Sequence, residues 1–129
     1  MFIAGLVGFH SGNISVRIGD YVVVTRRGAR PGRLNPKDLV EFALANPEVP
    51  MEGSSESSLH HAVYAISPSL SMIHAYPPSA IAVTLMEDAK EFVPQTVQGS
   101  DYMPVVPVID APAGDSVGGT ERILQTYPW

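Results

Sequence analysis

The chain contains no cysteine. Disulfides, thiolate nucleophiles and cysteine-ligated zinc fingers are therefore excluded. It also lacks an apolar run of the ~20 residues that a helix needs to cross a bilayer, so no membrane partner is expected. Charge is sparse: only 16% of the 129 residues are charged, and the net charge is −5. A duplex-binding module presents a dense basic surface, which this balance does not suggest, so no nucleic-acid partner is expected. No internal repeat, low-complexity tract or linker interrupts the chain, and a single domain over residues 1–129 is expected. The apolar start, MFIAGLVGFH, has neither a basic leader segment nor a cleavage site. It reads as the end of a buried helix or as a first strand, in a cytoplasmic protein.

Apolar residues make up 45% of the chain, and there are 11 glycines and 12 prolines. That composition describes a packed protein built of many short elements joined by rigid turns. Ile14–Ile18 and Tyr21–Thr25 read as strands joined at Gly19-Asp20; YVVVT is β-branched and aromatic, as a buried strand requires. Residues 26–33 form a basic loop. Asn35-Pro36-Lys37-Asp38 has the residue order of a helix start, and a strand is expected over Leu39–Leu44. After a loop at Pro47–Gly53, Ser54 or Ser55 is expected to cap a helix reaching about Ser67. On that helix Leu59, Val63 and Ile66 form one stripe, and Glu56, His60 and Tyr64 form another. Met72–Ala75 reads as a buried strand. The double proline at 77–78 opens a helix whose Ile81 and Leu85 share a face. A strand over Met103–Val108 and a helix over Val117–Thr126 complete the pattern. Strands alternating with helices imply a layered α/β sheet, and the irregular order implies a mixed one.

Four segments carry chemical groups, each with a plainer alternative. Ser11-Gly12-Asn13-Ile14-Ser15 offers close backbone approach and side-chain donors for phosphate oxygens, or it is a simple turn. Thr25-Arg26-Arg27-Gly28-Ala29-Arg30 offers guanidinium forks that match phosphate, or it is a solvated basic loop. Gly53-Ser54-Ser55-Glu56 places two hydroxyls and a carboxylate at a helix start, or it is a capping motif. His74-Ala75-Tyr76-Pro77-Pro78 puts an imidazole where a strand ends, or His74 is a hydrogen-bonded core residue.

Taken together and in order, these segments resemble the class II aldolase/adducin family. The family's G-N-x-S strand start appears as Gly12-Asn13-Ile14-Ser15, and its I-T-x-S-G turn as Val24-Thr25-Arg26-Arg27-Gly28. Its P-x-x-L-x-P-x-D-L-V stretch falls on Pro31–Val40, its S-S-E helix start on Ser54-Ser55-Glu56, and its H-x-H-P-P element on His74–Pro78. Leu59-His60-His61-Ala62-Val63-Tyr64 is similar to the family's L-H-x-x-I-Y. The match runs from about Leu6 to Pro107. The resemblance implies a three-layer α/β/α sandwich around a mixed, largely antiparallel sheet. It also implies cleavage or isomerisation of a small phosphorylated sugar or ketose beside a carbonyl, with a zinc or other divalent ion as Lewis acid. By position, Glu56 moves the proton. Asn13, Arg27, Gly28, Ser54 and Ser55 hold phosphate, with Arg27 adding charge where the family has serine or threonine. His74 is the first metal ligand.

The second ligand position falls on Tyr76, whose phenol binds a metal only after giving up its proton. The family's third histidine lies in the C-terminal half of its domain, and no histidine follows His74 here. A substitute set of His74, Glu56 and His60 is conceivable; His60 and His61 point about 100° apart on a helix and cannot share one ion. Relative to the family the domain is expected to be shortened at both ends, with an open core face that favours association. The resemblance implies a homo-oligomer, a tetramer. Two functional expectations follow: a divergent sugar-phosphate protein with carbon–carbon lyase activity through a metal-stabilised enediolate, or a non-catalytic, adducin-like binding or scaffold domain that has lost the metal site.

Overall fold

A computed structural model describes residues 1–46, 48–86, 89–109 and 117–118. Strands β1 (Asn13–Ile18), β2 (Tyr21–Thr25), β3 (Leu39–Ala43) and β4 (Ser71–His74) form one sheet in the order β3-β2-β1-β4, and every pairing in it is antiparallel. Helix α1 (Ser57–Ile66) joins β3 to β4 in sequence. After β4 come α2 (Pro78–Thr84), β5 (Glu91–Phe92), α3 (Val97–Tyr102) and β6 (Val106–Pro107), with β5 and β6 paired as a small second sheet. The architecture is α/β, as expected.

Strand parity sorts the sheet residues to two faces. Val22 and Val24 of β2 and Phe42 of β3 are buried and form a core with Tyr64 of α1, with Val40, Leu44, Val49 and Met72 at its edge. β1 presents polar groups to this same side, where Asn13 and Ser15 are both buried. The opposite face carries Val16, Ile18, Tyr21, Leu39 and Ile73, all between 44% and 63% exposed. The register sets Val16 beside Val23, Ile18 beside Tyr21, and Ile14 beside Ile73.

Several local expectations are corrected. Residues 1–10 form exposed turns in which only Val7 is buried, not a buried helix or strand. Asn35-Pro36 begins only a single 3-10 turn, Pro36–Asp38. The Asn35 N–H donates to the Asp38 carboxylate at 2.9 Å and holds that carboxyl below its usual range, and β3 pairing takes the chain over at Leu39. Helix α1 starts at Ser57, after Glu56, so neither Ser54 nor Ser55 is its cap; the Ser54 hydroxyl accepts instead from the Glu56 N–H in the preceding turn. Leu59 and Val63 of the apolar stripe are buried but Ile66 ends the helix 49% exposed, and His60 and Tyr64 of the other stripe are buried too. Ile81 of α2 and Leu85 just after it are both exposed, and β4, expected as a buried strand, has Ser71 and Ile73 exposed. The strand expected over Met103–Val108 is reduced to Val106–Pro107, and α3 was not anticipated. Of the helix expected over 117–126, only Val117 and Gly118 lie within the described residues.

Candidate functional site

Antiparallel pairing brings the ends of β1, β2 and β4 to one edge of the sheet. Asn13 at the start of β1 lies opposite His74 at the end of β4, while Ser15 lies opposite Val24 near the end of β2. Past β2, the chain is stitched to the segment leading into α1. Arg26 bridges Gly53, the Arg27 N–H donates to Glu52 O at 2.9 Å, and the Ser54 N–H donates to Thr25 O at 3.0 Å. The Arg26 N–H also donates to Asp38 O at 2.7 Å. These bonds raise a backbone wall beside a cavity of about 280 Å³.

Into that one cavity come Asn13, Arg27, Gly28, Ser54, Ser55, Glu56 and Tyr76. These are the residues to which the resemblance gave a role, apart from His74, which stands beside the cavity; His60 of the substitute metal set does not line it. His74 Nδ1 is 3.3 Å from Asn13 Nδ2, and the His74 ring lies 4.8 Å from that of Tyr76.

Two glycines shape the walls. Gly12 has φ +82°, and a Cβ there would collide with Val7 Cγ1 and meet His74 O at 2.8 Å, so β4 and the first segment close over it. Gly28 has φ +74°, a left-handed conformation costly for other residues, and its carbonyl accepts from His10 Nδ1–H at 3.1 Å. His10, close to the motif residues only in sequence at first sight, is thereby a wall residue of the cavity.

The electrostatics favour an anion. Arg26, Arg27, Arg30, Arg33 and Lys37 supply five of the chain's eight lysines and arginines. Arg26 Nε is anchored on Lys37 O at 3.0 Å, whereas Arg27 lines the cavity with its side chain exposed. A guanidinium, two hydroxyls and nearby backbone N–H groups suit a phosphate or carboxylate. Glu56 is half-buried among them, a carboxylate able to take a proton from a ligand held by its anionic end.

Beneath the cavity lies a buried polar chain that was not read from the sequence. The Ser15 hydroxyl is 2.6 Å from His60 Nδ1 and 2.7 Å from Tyr64 OH. With one proton to give and two lone pairs to accept with, this hydroxyl can pair with both. Ser15 and His60 are fully buried and Tyr64 is 1% exposed. Burial, with His74 adding to it, lowers the His60 pKa to about 4, so its imidazole is neutral at physiological pH. Burial raises the Tyr64 phenol, and its hydrogen bond to Ser15 works against that rise. His60 Nε2 and Asn13 Oδ1 are buried without a partner among the described residues. The i, i+4 spacing of His60 and Tyr64, with Ser15 sharing the parity of Asn13, was the signal for this chain.

A divalent metal does not fit the donors described. Turning the Asn13 amide would pair its orphaned Oδ1 with His74 Nδ1–H and leave His74 Nε2 free as one ligand. The next position carries the Tyr76 phenol. His60 of the substitute set turns its Nδ1 to Ser15. Among the described residues no three of His, Cys, Asp and Glu gather to hold an ion, whereas a zinc centre needs at least three protein ligands. Nor is any helix among them long and apolar enough to cross a membrane.

Comparison with known proteins gives a consistent picture. The family model described as Class II Aldolase and Adducin N-terminal domain matches residues 1–126. A protein named "Probable bifunctional methylthioribose-1-phosphate isomerase/methylthioribulose-1-phosphate dehydratase", from Nocardia farcinica, is 34% identical over 71% of this chain and 17% of its own length. The crystal structure of l-fuculose-1-phosphate aldolase from Thermus thermophilus is 31% identical, with a TM-score of 0.85 over 95% of this chain and 64% of that one. YgbL from Escherichia coli, 23% identical with a TM-score of 0.76 over 93% of this chain and 61% of that one, shares the fold. The chain thus spans less than two thirds of each of these relatives.

Proposed function

The chain belongs to the class II aldolase and adducin family, and from that premise we propose that its cavity binds a small phosphorylated sugar or ketose, with Glu56 placed to move a proton beside the carbonyl. One observation carries the reading. Segments as distant in sequence as Asn13, Arg27-Gly28 and Ser54-Ser55-Glu56 line one cavity that combines cationic, hydroxyl and carboxylate groups. In this reading Arg27, Ser54, Ser55 and the backbone around Gly28 hold the phosphate, while Asn13 orients the rest of the ligand. Glu56, held on the turn entering α1, accepts a proton from the carbon or hydroxyl next to the carbonyl, a step common to carbon–carbon cleavage and to isomerisation. His74 could give zinc or another divalent ion a single ligand, and the donors described do not complete a set around it.

Tyr76 at the second ligand position favours a second reading, a non-catalytic binding domain that keeps the cavity and has lost the chemistry. Both readings include a cytoplasmic homo-oligomer, tetrameric by family resemblance, and the exposed apolar sheet face supports association. Calorimetric titration with inorganic phosphate and with a phosphorylated ketose tests what the two readings share. Saturable binding is expected, weakened roughly tenfold or more by Arg27→Gln, the scale of a lost charge-assisted hydrogen bond. Turnover of the ketose that disappears in Glu56→Gln while binding persists selects the enzyme. Absence of saturable binding refutes the enzyme and the binding domain alike and leaves only an adducin-like scaffold domain.

A further inference from the structure

Resting on the phosphorylated-ligand reading above, we infer that Tyr76 is a specificity-determining residue: its phenol meets a carbonyl or hydroxyl oxygen of the ligand at the end of the cavity away from the anion-binding loops. The sheet register sets this out. β1 runs between β2 and β4, so Gly12-Asn13 lies between the wall at 25–28 and the segment at 74–76. Neighbouring strands are ~4.8 Å apart, which puts the two sides ~10 Å apart across β1 before their side chains reach inward. A ligand whose phosphate sits by Arg27, Ser54 and Ser55 therefore extends its short carbon chain toward Tyr76.

Tyr76 is held for such a role. Its N–H donates to Leu6 O at 2.8 Å, which ties the segment after β4 to the start of the chain. Its ring packs against His74 with centroids 4.8 Å apart. At 45% exposure it borders the cavity without being sealed in the core. A phenol both donates and accepts, so it can serve a carbonyl or a hydroxyl oxygen. The donors described around it do not assemble a metal centre. A neutral hydrogen bond from Tyr76 is then the contact the chain itself offers at this end of the cavity.

The test compares a one-ended probe, inorganic phosphate, with a two-ended one, dihydroxyacetone phosphate, by calorimetry. Wild type and Tyr76→Phe are each titrated with and without EDTA. Wild type is expected to prefer dihydroxyacetone phosphate. Tyr76→Phe is expected to lose about three- to tenfold of affinity for it, the scale of one neutral hydrogen bond, while phosphate binding stays unchanged and EDTA alters neither result. The inference is overturned if Tyr76→Phe weakens both probes equally, if it leaves the preference intact, or if EDTA abolishes the preference. A wild type that binds phosphate but shows no preference overturns the inference and leaves the proposed function standing. A wild type that binds neither probe removes the proposed function and the inference with it.

Discussion

Replacing Ser15 by alanine takes one oxygen out of the protein interior, and that oxygen is the partner of two buried groups. The hydroxyl lies 2.6 Å from His60 Nδ1 and 2.7 Å from Tyr64 OH. Each hydrogen bond lost costs about 1 kcal/mol net, and each buried group left unpaired costs about 1–3 kcal/mol instead. His60 already has a buried Nε2 without a partner among the described residues, so after Ser15→Ala neither ring nitrogen is satisfied. The expected loss is roughly 3–5 kcal/mol, a large part of the ~5–15 kcal/mol that holds a typical domain together. Tyr64→Phe removes the phenol oxygen but leaves the Ser15–His60 bond, and should cost only about 1 kcal/mol. In the double variant Tyr64 no longer has an oxygen to strand, so the two losses should fall short of additivity by about 1–2 kcal/mol. Urea unfolding, with midpoint and slope compared across the four proteins, measures all of this. A Ser15→Ala loss below about 1 kcal/mol at unchanged slope, or strict additivity, would refute the argument that this oxygen couples β1 to α1.

Two further outcomes follow from the same region. His60 has a pKa of about 4 against the usual 6.5, so below pH 6.5 the unfolded chain takes up a proton that the folded chain refuses. Its contribution to stability is therefore complete above pH 6.5 and falls as pH drops toward 4, by up to roughly 3 kcal/mol. His60→Gln should flatten that part of the pH–stability curve, and an unchanged slope between pH 4 and 6.5 would exclude His60 as its source. Gly12→Ala should cost more than about 2 kcal/mol and weaken phosphate binding, because the new methyl group would stand 2.8 Å from His74 O in a backbone conformation that alanine rarely adopts; melting temperature and calorimetry together check it.

Much of the site was legible in the sequence because its residues are tied to elements that sequence pattern marks well. YVVVT is β2 residue for residue, and the strand it names carries Arg27 and Gly28 to the cavity. The double proline marked the end of β4 and hence the position of Tyr76. The buried polar chain was not read, because apolar periodicity ranks Leu59, Val63 and Ile66 above His60 and Tyr64 as the inward stripe. Tertiary context buries both stripes: Leu59 and Val63 enter the interior, and Ser15 of β1 meets His60 and Tyr64 there as well. The first ten residues misled in the opposite sense. Their apolar composition suggests burial, but among the described residues only Val7 finds a place in the interior. Helix α3 has a Thr96 cap, with its hydroxyl accepting from Gly99 N–H at 3.0 Å, yet Val97–Tyr102 has no apolar stripe to announce it.

The stitching between residues 25–27 and 52–54 uses main-chain atoms throughout. Amide and carbonyl groups are common to nearly every residue type, so the outline of that wall does not depend on which side chains stand on it. The side chain at Arg27 can change without redrawing the outline. Chemical character and architecture are thus separable here: a lineage, or an engineer, can rewrite what the recess prefers to hold by exchanging side chains while its frame persists.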